Sequence, residues 1–159
     1  MVVLPGRHEA GSLSEVGVQV GEGGSVDVRC EPTIVAARAS HSALSQLDLD
    51  EGARADLTEH VLLGRYGELP GHWRGRTSAV VAGRPVLRHT LRSDVLLRDG
   101  HRAAVTRVRL GHPDDVVRVL SDVHAVRLPL CGRGTLLTAT GVTLPDAVAN
   151  TLRLGSTPS

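Results

Sequence analysis

Apolar and polar residues alternate with a period of two along much of the chain, the pattern of strands buried on one face. Val16, Val18 and Val20 alternate, Gly21-Glu22-Gly23-Gly24 interrupts them, and Val26, Val28 and Cys30 take the pattern up again. This predicts strand, turn, strand. Leu47 and Leu49 lead into Asp50-Glu51-Gly52, after which Ala53, Ala55 and Leu57 alternate. A weaker copy runs through Ala79 and Val81, the turn Ala82-Gly83-Arg84-Pro85, and then Val86, Leu87 and Leu91. Arg98-Asp99-Gly100 lies between Val95-Leu96-Leu97 and Ala103-Ala104-Val105 and predicts a fourth hairpin, because Asp-Gly suits the positive φ of a tight turn.

These units recur about every thirty residues, as in layered β-structure where each unit buries its apolar row against the next. Evenly spaced hairpins of an ordinary antiparallel sheet give the same spacing, so both arrangements stand, and both are mainly β. Two short segments carry helical signals. His112-Pro113-Asp114-Asp115 puts Pro and acids at a helix start, with Val116, Val119, Leu120 and Val123 following at helical spacing. Leu144-Pro145-Asp146 opens a second helix running through Leu152 and Leu154, and residues 155–159 read as a flexible tail.

With 159 residues, 41% hydrophobic and 22% charged, the chain suits a single globular domain over 1–159. Trp73 and Tyr66 are its only aromatic residues, so Val, Leu and Ala must fill the core. All 18 basic residues are Arg. The lack of Lys excludes a P-loop lysine, a Schiff-base lysine and a lysine general base. A net charge of +1 and the scarcity of stacking side chains argue against a nucleic-acid groove. Cys30 and Cys131 are far apart and lack metal-site spacing, which predicts free thiols and no disulfide. No basic segment followed by an apolar run opens the chain, and no stretch approaches the ~20 apolar residues of a membrane span. A soluble, cytoplasmic protein is the expectation.

Motifs of catalysis are missing: there is no GxSxG, HExxH or Walker A sequence, and Cys131-Gly132-Arg133-Gly134 reads as a turn. The eight histidines show no metal-ligand spacing, which leaves open only a cluster assembled by the fold. Ser121, Asp122 and His124 are triad residue types, but nearness in sequence does not make a triad. The richest polar stretch runs from Asp56 to Glu68. In a strand beginning near Ala53, Asp56, Thr58 and His60 share one face, while Leu57, Glu59 and Val61 share the other. Glu59 is thereby turned to the apolar side, where a carboxylate is costly unless paired. Arg65, across the Gly64 turn, is a candidate partner for a structural ion pair, with a metal or transport role as the alternative.

The run Gly24-Ser25-Val26-Asp27-Val28-Arg29-Cys30-Glu31-Pro32-Thr33-Ile34-Val35-Ala36-Ala37-Arg38, with Glu51-Gly52-Ala53-Arg54, Glu59, Leu63-Gly64-Arg65 and Gly67-Glu68, resembles the urease accessory protein family UreD, also called UreH. Trp73-Arg74-Gly75-Arg76 and Gly83-Arg84-Pro85-Val86-Leu87-Arg88-His89 look like its actinobacterial members. The likeness is strongest from about 18 to 92, and Leu136-Leu137-Thr138-Ala139 and Pro145-Asp146-Ala147 continue it loosely. It implies a layered, β-helix-like stack of sheets with one or two short helices toward the C-terminus. It also implies a non-enzymatic maturation factor that binds apo-urease with UreF, is joined by the GTPase UreG, and helps deliver nickel. No tightly bound cofactor is then expected, only Ni²⁺ in transit along an internal polar route.

By matching position, Glu59 is the residue carried over for that route, with Gly64 and Arg65 as the accompanying turn; Asp56 and Glu31 are added as further acidic candidates. Nucleic acid and membrane are not expected partners, and a homodimer is left open. Two departures stand out. Leu57 occupies a position where many relatives have Trp, and the family's N-terminal strands are expected to be missing, which would bare an apolar edge unless a partner covers it. A β-rich metal-dependent enzyme with a fold-assembled His/acid site, or a shortened structural module without activation function, remains the alternative.

Overall fold

A computed structural model describes residues 6–8, 11–112, 117–120 and 124–155. Its elements in chain order are β1 (Gly6–His8), β2 (Gly11–Val20), β3 (Ser25–Arg29), β4 (Thr33–Val35), β5 (Ser40–Leu49), β6 (Arg54–Leu63), β7 (His72–Val81) and β8 (Arg84–Arg92), followed by helix α1 (Ser93–Arg98). Then come β9 (Ala103–Leu110), β10 (Arg118–Leu120), β11 (Ala125–Pro129), β12 (Gly134–Gly141) and helix α2 (Leu144–Gly155). The chain is mainly β, as the alternation predicts.

The strands form two sheets, one ordered β1-β2-β5-β7-β8 and the other β10-β11-β12-β9-β6-β3, with β4 also paired to β6. The chain passes from one sheet to the other between β2 and β3, between β4 and β5, between β5 and β6, and between β6 and β7. β2 and β5 pair in parallel, as do β5 and β7, and on the facing sheet β3 and β4 both run parallel to β6. The strand-turn-strand units at Gly21–Gly24 and Asp50–Gly52 are therefore corners between sheets rather than hairpins. Each unit stacks on the next, so Val16, Ser45 and Thr77 become neighbours in one rung, the thirty-residue spacing expected of layered units. The third unit is a true antiparallel hairpin, β7 to β8. Ala82 and Gly83 at its tip have φ of 50° and 71°, the positive values a two-residue hairpin requires. Cys131 and Gly132, at φ 50° and 69°, close the β11–β12 turn predicted at that sequence.

Two predicted elements take another form. Val95-Leu96-Leu97 lies in α1, not in a strand, and Asp99-Gly100 ends that helix. The amide of Gly100 donates to the Leu97 carbonyl and that of His101 to the Leu96 carbonyl, with Gly100 at φ 75°; this is a glycine helix stop. Arg118–Leu120 is a strand paired with β11, so Val119 and Leu120 do not continue a helix from Pro113. Pro113, Asp114, Asp115, Val116 and Val123 lie outside the described residues, as do 156–159 of the expected tail.

The main core lies between the sheets. Val16, Val18, Val20, Leu47, Leu49 and Ala79 of one face Ala55, Leu57, Val108, Leu110 and Leu136 of the other. A second cluster, of Val35, Val61, Leu63, Leu96 and Ala104, fills the opposite end of the same interlayer. Helix α2 covers the outer face of the larger sheet, with Ala147 against Ala103 and Val105 and Leu154 against Ala125, Leu137 and Ala139. Thr143 and Asp146 cap it reciprocally: the Asp146 amide donates to Thr143 Oγ1 and the Thr143 amide donates to the Asp146 carboxylate.

Candidate functional site

The two apolar clusters are separated by a polar rung. β6 alternates as predicted, sending Ala55, Leu57, Glu59, Val61 and Leu63 inward. In the facing sheet the register that aligns Val16, Ser45 and Thr77 continues to His89 on β8. On Glu59's own sheet its register partner is Thr106, itself paired with Thr138. Small hydroxyl residues thus occupy inward positions that Leu47, Ala79, Val108 and Leu136 fill one rung away. Ser45 and Thr77 are 1% and 3% exposed.

Glu59 reaches across the interlayer. Its Oε1 accepts a 2.6 Å hydrogen bond from Ser45 Oγ, and its Oε2 accepts one of 3.4 Å from Thr77 Oγ1. Burial pushes its carboxyl above the ordinary range, and the two hydroxyl donors pull part of that shift back. No guanidinium or imidazole pairs with it among the described residues. The carboxyl borders a cavity of about 410 Å³ whose lining also includes Cys30, Glu31, His60, Trp73 and His89. Trp73 Nε1 and His89 Nε2 are buried there without a hydrogen-bond partner among the described residues. Such atoms call for a polar occupant of the cavity, since buried polar groups are ordinarily satisfied by protein or water. Burial lowers the His89 pKa, which favours neutral imidazole. Cys30 is pushed the other way, first by burial and then by the Glu59 charge, and so stays a thiol.

Of the acids picked out from the sequence, Glu59 and Glu31 come to this cavity, Glu31 as an exposed residue in the segment after β3. Asp56 does not. It faces the other side of β6, where Arg107 binds both its oxygens at 2.8 and 2.5 Å and Arg109 approaches to 3.3 Å. Those contacts tie β6 to β9.

Arg65 is not the partner of Glu59. Its side chain is 70% exposed and lies 3.9 Å from Glu68, because the loop carries it away from the interlayer. Gly64, at φ 78°, has no room for a Cβ, which would come within 2.8 Å of the Leu69 carbonyl and closer still to Arg102. Arg102 organises this loop by donating to the carbonyls of Leu63 and Glu68.

Sequence reasoning missed Ser45, Thr77, His89 and Arg102. The first two carried one signal, a small polar residue at an inward position of an alternating run. Among the histidines, the fold brings His101 and His124 together with ring centroids 4.5 Å apart. His101 Nδ1 lies 2.7 Å from Thr140 Oγ1, and His124 Nδ1 lies 3.8 Å from Asp99. Ser121 and Asp122, the other triad residue types, lie outside the described residues. No group of three His, Cys, Asp or Glu side chains among the described residues is arranged to hold a metal ion.

Fold and cavity define a layered two-sheet β-protein whose interior holds a carboxyl bound by two hydroxyls. The chain belongs to the UreD urease accessory protein family, whose model matches residues 7–152. It is 43% identical over 90 residues to urease accessory protein UreD 1 of Saccharopolyspora erythraea, a match covering 57% of this chain and 35% of that protein. UreD of Streptomyces coelicolor is 31% identical over 160 residues, covering 92% of this chain and 61% of its own length. With UreD of Frankia alni the identity is 40% over 82 residues, or 52% of this chain and 28% of that one. These matches thus span between 28% and 61% of the length of the curated relatives. No helix among the described residues is long and apolar enough to cross a membrane.

Proposed function

We propose that this chain is a cytoplasmic scaffold of urease maturation that binds apo-urease together with UreF and UreG and passes Ni²⁺ through its interlayer cavity without catalysing a reaction. The observation that carries this reading is Glu59: a buried carboxyl turned into a cavity, oriented by two hydroxyls and paired with no guanidinium or imidazole among the described residues. A structural acid at this depth would ordinarily be paired with a guanidinium, as Asp56 is on the opposite face. A cation in the cavity would serve Glu59 in that place, and a site of one carboxylate with neutral donors holds a borderline metal weakly enough to release it.

Within this reading Glu59 is the interior ligand and Glu31 an acid at the rim, with Ni²⁺ as cargo. Asp56 ties strands together, and Gly64 and Arg65 shape the loop after β6. The raised carboxyl couples loading to proton release, because the metal must displace a proton from whatever fraction of Glu59 is protonated. The test is genetic and biochemical together. The full chain, tagged in cells that make urease, should co-purify with UreF and apo-urease, and its clean deletion should leave urease poor in nickel. Full urease activation in the deletion strain would end the proposal.

A further inference from the structure

The outer face of the smaller sheet gathers positive charge where its last two strands meet. Arg74 and Arg76 on β7 and Arg88 and Arg92 on β8 are all exposed, on the face opposite Thr77 and His89. Arg74 is directly across from Arg92, and Arg76 is across from Thr90 and therefore diagonal to both Arg88 and Arg92. Asp94 binds Arg92, while Arg74, Arg76 and Arg88 have no ion-pair partner among the described residues. Glu15 and Asp48 are the only acids of β2, β5, β7 and β8, and neither is on the hairpin. In a chain of net charge +1, this is a strong local segregation of charge.

Like charges facing one another across a strand pair cost stability. Guarding a sheet edge against aggregation explains Arg88 and Arg92, since β8 ends its sheet. It does not explain Arg74 and Arg76, because β7 lies between β5 and β8. Guanidinium groups bind carboxylates through two parallel hydrogen bonds, and the open side of β8 offers backbone groups to an extended peptide. Nucleic acid fits poorly: no aromatic residue stands on this face, as Trp73 lines the interior cavity and Tyr66 belongs to the loop after β6.

We propose that the outer face of the β7–β8 hairpin docks an extended, carboxylate-rich segment of a protein partner, added as a strand along β8 with its acidic side chains over Arg76 and Arg88. This surface lies on the opposite side of the sheet from the cavity, so it stands or falls independently of the metal route.

Fluorescence anisotropy with a labelled peptide alternating Glu and Val, long enough to pair with β8, tests it on the full chain. Binding should weaken roughly tenfold in the Arg76→Glu/Arg88→Glu variant and by a smaller factor in Arg76→Gln/Arg88→Gln. All four substitutions replace exposed side chains, and thermal unfolding checks that each variant folds. A peptide with Pro in its centre should bind several-fold more weakly, because it cannot complete the ladder. No binding, equal binding by the charge-reversed variant, equal binding of the Pro peptide, or tighter binding of single-stranded DNA of the same charge would each overturn the proposal.

Discussion

Glu59 is held by opposing effects: burial disfavours its charge, while the hydroxyls of Ser45 and Thr77 favour it. The sign of the pH dependence follows. With its folded pKa raised, the native state binds more protons than the unfolded chain between the two pKa values, so stability falls as pH rises through that window. The decline begins near the unfolded carboxyl value of about 4.3 and is complete above the raised folded one. Glu59→Gln should therefore gain stability relative to wild type as pH rises from acid to neutral, read by thermal unfolding across pH; parallel profiles would show that burial does not burden the carboxyl. Asp56→Asn should behave differently, costing about 1 kcal/mol because Arg107 and Arg109 keep water access and their pairing is screened; urea unfolding measures it. The inward aim of Glu59 was legible from the period-two pattern alone. Its partners were not, because Ser45 and Thr77 stand 14 and 18 residues away on the facing sheet and only the stacking of units sets that register.

Sequence pattern and structure part where one local signal serves two elements. Asp99-Gly100 has the positive φ of a hairpin turn, but the same conformation ends a helix, and the run Val95-Leu96-Leu97 lacks the alternation that would choose a strand. What fixes α1 is non-local: Leu96 is buried beneath Val35, Val61 and Leu63, and Ser93 Oγ accepts from the Trp73 amide at 3.0 Å. Gly100→Ala should cost about 1 kcal/mol, the strain of a Cβ at positive φ in otherwise open space. Gly64→Ala should cost more, about 2–3 kcal/mol, because a Cβ there also meets Arg102 and the Leu69 carbonyl. Chemical denaturation of the two variants side by side checks the order, and an equal cost would mean that the loop yields freely. Similarly, Val119 and Leu120 fit a helical spacing, whereas pairing with β11 decides their conformation as β10.

On the scale of the molecule, the thirty-residue repeat was readable in outline, while the choice between stacked units and hairpins was not. Both put the same alternation on either side of the same turns. The structure resolves it by sending β2, β3, β5, β6 and β7 to alternate sheets, and that coil creates an interlayer deep enough to hold a polar rung between two apolar clusters. Metal transit through that rung is tested by a matched pair, Glu59 and Asp56, which lie close together on one strand and face opposite ways. The most direct measurement is the nickel content of urease purified from cells in which this chain carries either Glu59→Gln or Asp56→Asn, with equal amounts of folded protein verified. Nickel occupancy should fall severalfold with Glu59→Gln and stay near wild type with Asp56→Asn. Full occupancy with Glu59→Gln would contradict the central claim.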